Sequence, residues 1–393
     1  MKDSSRIAVS INIINNFLLG EPIEKVFTNW ARKAKYAGSS DRAAIRDIIF
    51  CCLRSLKSFS KVGNSFSGRG VVIGYLLVQN EHPVNYFTGT AYAPAKLTDA
   101  ENENILNVDV QSVIESVFDF PDWMCLELAE SLDSKFIQIN KFFRNRAPMF
   151  LRVTSRKSSI ENVRTLLLEE KIETKTVEGS SKALAVCSNI RKVKLTNAFK
   201  KGLFEIQDIN SQIACEMLHL KSGSRVLDFC AGGGGKSLAI KDKADVDITA
   251  YDLNIGRMKD IPVRSERTDT KIRMLTSLDE ITGLKFDAVI CDVPCSGSGA
   301  WRRNPDGKWS LTKEKYELLK KEQHSILKSA SQFVREGGLL VYMTCSILKP
   351  ENEEQVNRFL LENKTWENTL VKNLSISNNG DGFFLAINRK YIS

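Results

Sequence analysis

Histidine is scarce in this chain: there are three, His82, His219 and His324. None stands beside a cysteine pair at zinc-ligand spacing, which argues against a metal site. No apolar run reaches the ~18 residues that a membrane-crossing helix needs, so no membrane association is expected. The opening residues, Met1-Lys2-Asp3-Ser4-Ser5-Arg6, lead into an amphipathic stretch broken by Asn12, Asn15 and Asn16. They lack the apolar core and small-residue cleavage site of a signal peptide. Internal repeats and low-complexity runs are absent too. The nine cysteines are scattered, several of them inside apolar runs. That pattern suits reduced thiols in a cytoplasm better than a disulfide framework.

What is present describes a globular chain with a polyanionic partner. Its 393 residues are 42% hydrophobic and 26% charged, long enough for two or three domains. The net charge of +9 favours nucleic acid as that partner, although an evenly spread surface excess would give the same figure.

The first third reads as helical. Ile7, Ile11 and Ile14 share helical spacing, Gly20 ends that segment and Pro22 opens the next. Ser40 or Asp41 caps a third helix, whose stripe Ile45, Ile48, Ile49, Cys52 and Leu53 faces a core. Residues 57–70 read as a polar, Gly/Ser-rich loop, and 97–107 as an acidic loop or helix margin. Phe120-Pro121-Asp122-Trp123 resembles a hinge. Beyond it, a strand ending at Arg152-Val153-Thr154, a helical period over 160–170 and alternation over 174–186 suggest a small α+β subdomain. From Ser222 strands alternate with helices, with strands at 225–229, 247–251, 271–275, 286–290 and from 339, and a long helix over 312–335. This is a doubly wound βα pattern. The expected domains are 1–130, helical; 131–221, linker and α+β subdomain; and 222–393, α/β.

Four strand ends in the last domain carry chemistry. Asp228-Phe229-Cys230-Ala231-Gly232-Gly233-Gly234-Gly235-Lys236 is a strand, a glycine loop and a helix start. Such a loop lets backbone approach a ligand, and Asp252 at the next strand end could accept from both hydroxyls of a ribose. Ile290-Cys291-Asp292-Val293-Pro294-Cys295 ends another strand. A second cysteine, Cys345, follows the apolar run Leu339–Thr344. Ligands bind outside the carboxyl ends of strands in open α/β sheets, so Asp292, Cys295 and Cys345 share one edge. Gly235-Lys236-Ser237 also ends like a phosphate-binding loop, but that pattern needs glycine where this chain has Cys230, and it leaves both cysteines unused. Arg302, Arg303 and Lys308, with Trp301 and Trp309, form a basic and aromatic cluster suited to phosphates and splayed bases.

These blocks carry a resemblance. Cys230 to Lys236, Asp292-Val293-Pro294-Cys295, Trp301-Arg302-Arg303-Asn304-Pro305-Asp306-Gly307-Lys308-Trp309 and Tyr342-Met343-Thr344-Cys345-Ser346 occur in the order found in the RsmB/Nop/Sun family. That family comprises S-adenosylmethionine-dependent RNA cytosine carbon-5 methyltransferases. The resemblance covers most of residues 222–355 and extends to Phe204 to Gln212 and to Asp381-Gly382-Phe383-Phe384. More loosely, the N-terminal stripe resembles a NusB-like helical RNA-binding domain.

The resemblance implies a Rossmann-like class I methyltransferase domain, preceded by a small α+β subdomain and an all-α NusB-like domain. It implies S-adenosyl-L-methionine held by Cys230, Ala231, Gly232, Gly233, Gly234, Gly235, Lys236, Asp252 and Asp292. It implies Cys345 as nucleophile, Cys295 as the group that assists breakdown of the covalent adduct, and Asp292 beside nitrogen 3 of the cytosine. Arg302, Arg303 and Lys308 are the expected RNA contacts, ribosomal RNA the expected partner, and a cytoplasmic monomer the expected state. A non-catalytic ribosome-assembly factor on the same fold is the rival from another class, and the presence of both cysteines argues against it. Two departures stand out. Glycine occupies a loop position where the family often has proline. No acid follows the third strand before Asp279, so the adenine contact is not assigned.

Overall fold

The computed structural model describes residues 1–377 and 379–392. The chain divides into two compact units, one made of 1–146 with 301–313, the other of 147–300 with 314–393.

The first unit is helical. Its helices are Asp3–Leu18, Ile23–Lys33, Ser39–Arg54, Leu56–Val62, Gly68–Val78, Asp99–Asn107, Val110–Ser116, Asp122–Leu132 and Phe136–Arg144, with Pro305–Ser310 added by the 301–313 excursion. Ile7, Ile14, Ile45, Ile49, Cys52 and Leu53 point into one apolar core, as their spacing predicts.

Residues 57–70 are not a loop. Most of them belong to the helices Leu56–Val62 and Gly68–Val78, and the glycines that suggested a loop are contact points. A Cβ on Gly63 would lie 1.9 Å from the Gly70 carbonyl oxygen, and one on Gly68 would lie 2.3 Å from that of Ile11. Only a missing side chain lets these backbones approach so closely. The Leu56–Val62 helix is capped from a distance. Buried Asp119 accepts from Ser58 N at 2.9 Å and Ser58 Oγ at 2.7 Å, and pairs with Arg144 Nε at 2.8 Å. First-turn amides need such an acceptor, and a carboxylate there also suits the helix dipole. Of residues 97–107, expected to be an acidic loop or helix margin, 99–107 form a helix, which Thr98 and Glu101 start with a reciprocal capping box.

The second unit holds two sheets. Strands β1 (Met149–Val153), β2 (Thr174–Thr176), β3 (Ala183–Val186) and β4 (Phe204–Ile206) form an antiparallel sheet in the order β2-β3-β1-β4. The helix Ile160–Glu169 buries Val163 and Leu167 in the same apolar cluster as Leu151 and Leu184.

The larger sheet contains β5 (Arg225–Asp228), β6 (Asp247–Ala250), β7 (Arg273–Met274), β8 (Phe286–Asp292), β9 (Val334–Thr344), β10 (Trp366–Leu374) and β11 (Phe383–Lys390). Their order is β10-β11-β9-β8-β5-β6-β7. β5 to β9 run parallel, and β11 runs antiparallel to β9 and β10. The long helix is Lys313–Ser331, ending earlier than its periodicity suggested. β9 begins at Val334 and bulges opposite Phe286 and Ala288, which absorbs Gly337 and Gly338. From β5 the chain winds outward to β7, then returns to β8 on the other side of β5. The point where winding reverses therefore lies between the ends of β5 and β8, where ligands bind in such sheets.

Candidate active site

β5 delivers Asp228, which is 1% exposed. Its Oδ2 accepts from Ser237 Oγ at 2.5 Å, while Oδ1 is buried and finds no partner within the protein. Loss of hydration pushes this carboxyl up to about 6; Ser237 works against the rise, and the nearby negative charge of Asp292 adds to it.

The loop that follows turns through Gly232 at φ +48° and Gly234 at φ +75° before the helix Gly235–Lys243 begins. Both values lie in the left-handed region, where glycine carries no Cβ penalty. Cys230 is half-buried, and burial pushes its thiol well up, so it is a weak nucleophile. Arg264 holds the loop from behind. It donates to the Gly233 carbonyl and, at 2.8 Å, to buried Glu205 at the centre of β4, which also pairs with Arg267. Sequence reasoning missed this brace, because nothing in the spacing of Glu205, Arg264 and Arg267 announces it.

Asp252 lies two residues past β6 and is buried. It accepts from Gly232 N and Asn254 N, each at 3.0 Å, and Arg257 Nη1 stands 3.4 Å away. Each carboxylate oxygen has a second lone pair, so acceptor capacity remains for a ligand's hydroxyls. A strand-end acid, a backbone loop free of Cβ atoms and the unpartnered Asp228 Oδ1 together fit an adenosine-bearing cofactor.

β8 and β9 bring up the reactive side. Asp292 lies opposite Met343 in register, so Cys295, three residues on, and Cys345, two residues past Met343, emerge at the same edge. Their sulfurs are 3.4 Å apart. The hydrogen bond with Cys345, together with burial, holds the Cys295 thiol well above its ordinary range. Lys236, from the glycine-loop helix, reaches Asp292 Oδ2 at 2.5 Å and lies over the Phe383 ring, 5.1 Å from its centroid. Burial opposes the charge on Lys236, but the Asp292 carboxylate outweighs it and the lysine's pKa is raised. The loop after Cys295 is seated closely. A Cβ on Gly299 would lie 2.1 Å from the Gly382 carbonyl oxygen, and Asn210 Nδ2 holds the Asp381 carbonyl at 2.6 Å. The blocks around residues 204–212 and 381–384, distant in sequence, therefore meet behind the cysteine loop.

Arg302 and Lys308 do not have the solvent-facing placement expected of RNA contacts. Each is 1% exposed within the helical unit. Lys308 Nζ donates to the Arg54 carbonyl at 3.1 Å, Trp309 Nε1 donates to that of Leu53 at 2.7 Å, and Arg54 Nε donates to the Arg302 carbonyl at 2.7 Å. The last carbonyls of a helix lack intrahelical donors, and here the 301–313 segment supplies them to Ser39–Arg54. Trp301 fills the core beside Phe120 and Phe143. Of the three basic residues, Arg303 is the exposed one. Sequence alone could not separate a basic surface from this buried fastening, since both use the same residue types.

Among the described residues no group of His, Cys, Asp and Glu could hold a metal ion, and no helix is long and apolar enough to cross a membrane. A parallel sheet with one reversed strand, a glycine loop after its first strand and an acid after its second define a Rossmann-like class I methyltransferase fold. A sequence model described as "16S rRNA methyltransferase RsmB/F" matches residues 215–388, and one described as "Methyltr_RsmF/B-like, ferredoxin-like domain" matches residues 120–191. Ribosomal RNA small subunit methyltransferase B of Citrobacter koseri is 30% identical over 288 residues, covering 69% of this chain and 67% of the relative. The protein of the same name from Pasteurella multocida is 32% identical over 296 residues, and the match spans 70% of this chain and 66% of that relative's length. The crystal structure of NSun6 from Pyrococcus horikoshii with SFG superposes with a TM-score of 0.62 at 18% identity, covering 70% of this chain and 99% of that one. This chain belongs to the RsmB/F family of methyltransferases.

Proposed function

We propose that the protein methylates carbon 5 of cytosine in small-subunit ribosomal RNA, in the cytoplasm, through a covalent cysteine adduct. The observation that carries this reading is the pair of thiols, Cys295 and Cys345, 3.4 Å apart at the edge that also presents Asp292. S-adenosylmethionine supplies the methyl group. Glycines 232–235 and Asp252 bind it, and the ion pair with Lys236 keeps Asp292 oriented beside it.

Carbon 5 of cytosine is a poor nucleophile, and two thiols answer that difficulty. The Cys345 thiolate adds to carbon 6, forming a sulfur–carbon bond and shifting an electron pair to carbon 5, which takes the methyl group. Asp292 contacts the ring near nitrogen 3, and a protonated or hydrogen-bonded nitrogen 3 absorbs the charge that moves into the ring as the sulfur adds. The carbon-5 proton then leaves to a base, the sulfur–carbon bond breaks, and the thiolate returns to Cys345. Cys295 assists this second half. The resemblance of the Tyr342-Met343-Thr344-Cys345-Ser346 block to the family supports Cys345 for the attack. The base must leave its stack to reach the sulfurs, so a single-stranded or loop segment is the expected target.

Denaturing electrophoresis tests the assignment. Cys345→Ala should form no adduct and show no turnover. Cys295→Ala should accumulate a retarded protein–RNA band when S-adenosylmethionine is present. The opposite pattern would exchange the two roles. Normal turnover in both variants with no band would rule out the covalent route. Bisulfite sequencing of ribosomal RNA from cells lacking the protein would identify the modified nucleotide.

A further inference from the structure

The two cysteines share a local feature that their chemistry does not require: each is followed by serine, as Cys295-Ser296 and Cys345-Ser346. Both serine hydroxyls donate to one atom, Glu351 Oε2, each at 2.5 Å. The other oxygen, Oε1, accepts from Ser296 N at 2.8 Å and from Gln323 Nε2 at 2.9 Å. Glu351 is fully buried. Its two oxygens thus accept four hydrogen bonds, the capacity of an ionised carboxylate; a carboxylic acid would have to place its own hydrogen among those donors.

The residues around Glu351 fix it in turn. Tyr342 OH donates to the Glu351 carbonyl at 2.6 Å. Asn352 receives Thr344 Oγ1 at 2.6 Å and donates to the Ser346 carbonyl at 3.1 Å. Gln323 also donates to the Pro294 carbonyl, one residue before Cys295, at 3.0 Å. Apart from the bonds of Tyr342 and Gln323 to Glu351 itself, each link runs from the short turn Lys349–Glu351 and its neighbour Asn352, or from the long helix, to a residue adjacent to one of the two cysteines. Gln323 Oε1 finds no partner within the protein, but every acceptor position on Glu351 is filled, and removing Glu351 leaves several donors unpaired.

We infer that Glu351 is a positioning residue that sets the approach of Cys295 to Cys345 by clamping the serine that follows each. Its bearing on turnover rests on the two-cysteine reading above, but the approach of the thiols can be measured without RNA. Phenylarsine oxide is the probe. Two thiols displace its oxygen, forming two sulfur–arsenic bonds and releasing water with no change of oxidation state, and the chelate closes only where the sulfurs stand together. The wild-type chain should bind one arsenical at this site, and Cys295→Ser should abolish that uptake, separating it from the adjacent Cys51 and Cys52.

Glu351→Gln places an amide's hydrogens against hydroxyls and an amide that already donate. Arsenical capture should be lost while iodoacetamide still alkylates Cys345 and S-adenosylmethionine affinity is unchanged. With RNA, kcat should fall by about a hundredfold, the cost of displacing a reacting group by ~1 Å, with KM little altered. Glu351→Asp keeps the charge but shortens the reach, and should recover part of the capture. Capture at the wild-type rate by Glu351→Gln overturns the inference. If that variant does not fold, the double variant Ser296→Ala, Ser346→Ala removes both hydroxyl donors and leaves the carboxylate. It too should lose capture, and wild-type capture there overturns the inference equally. Lost capture with undiminished methylation would uphold the clamp and instead refute the two-thiol mechanism.

Discussion

Lys308 offers the most direct quantitative test of the structure. Its ammonium is enclosed in the helical unit between the Phe120 ring, 5.2 Å to the centroid, and the Trp309 ring at 4.7 Å, with the Arg54 carbonyl as acceptor. Loss of hydration drives its pKa from the ordinary 10.5 down to about 7, and Asp119 only partly resists this. Each tenfold change in proton affinity is worth about 1.4 kcal/mol, so the depression corresponds to about 5 kcal/mol of preference for the neutral amine. Between pH 7 and 10.5 the unfolded chain binds a proton at this site that the folded chain does not. Stability must therefore rise with pH across that window, by up to about 1.4 kcal/mol per pH unit.

Lys308→Met removes the titration and keeps an unbranched apolar stem, at the cost of about 1 kcal/mol for the lost bond to the Arg54 carbonyl. The variant should be more stable than the wild type at pH 7, and its advantage should shrink by about 2 kcal/mol by pH 9. Urea unfolding followed by tryptophan fluorescence reads the correct unit, because Trp30, Trp123, Trp301 and Trp309 all lie in it and only Trp366 lies outside. Parallel stability curves for the two proteins from pH 7 to 9 would show that Lys308 is hydrated in solution. The burial argued here, and with it the fastening of the 301–313 segment, would then be wrong.

Two further outcomes are expected. Asp252→Ala should weaken S-adenosylmethionine binding by about 1–3 kcal/mol, the usual loss when a charged acceptor is removed; unchanged affinity by calorimetry would take Asp252 out of the site. RNA affinity should fall steeply as salt rises from about 50 to 200 mM, because phosphate contacts release counterions; a flat dependence in filter binding would contradict a basic RNA surface on this +9 chain.

Local pattern was enough to read the elements whose signal is local. The glycine loop from Gly232 to Gly235 sits where a strand gives way to a helix, and the stripe from Ile45 to Leu53 packs into a core, because periodicity and turn chemistry act over a few residues. Asp292 and Cys345 were legible as strand-end residues because apolar runs precede them. Local pattern misled where one residue type serves two purposes. Glycine at 63 and 70 signals a loop in a linear reading, whereas here it permits helices to touch. Arginine and lysine at 302 and 308 signal a phosphate surface, whereas here they lie in a protein interior.

The sequence by itself determined which side chains stand at the ends of which strands, since a strand's period and its terminating loop are written in consecutive residues. Only the tertiary structure decided the 3.4 Å between Cys295 and Cys345, which depends on the register of β8 against β9. It likewise decided that Glu351 gathers Ser296 and Ser346, that Glu205 braces Gly233 through Arg264, and that Lys308 caps the helix ending at Arg54. The physical reason is common to the last three. Hydrogen bonds to buried carboxylates and carbonyls form between residues tens to hundreds of positions apart, and they are selected because a buried polar group must find a partner wherever the fold brings one.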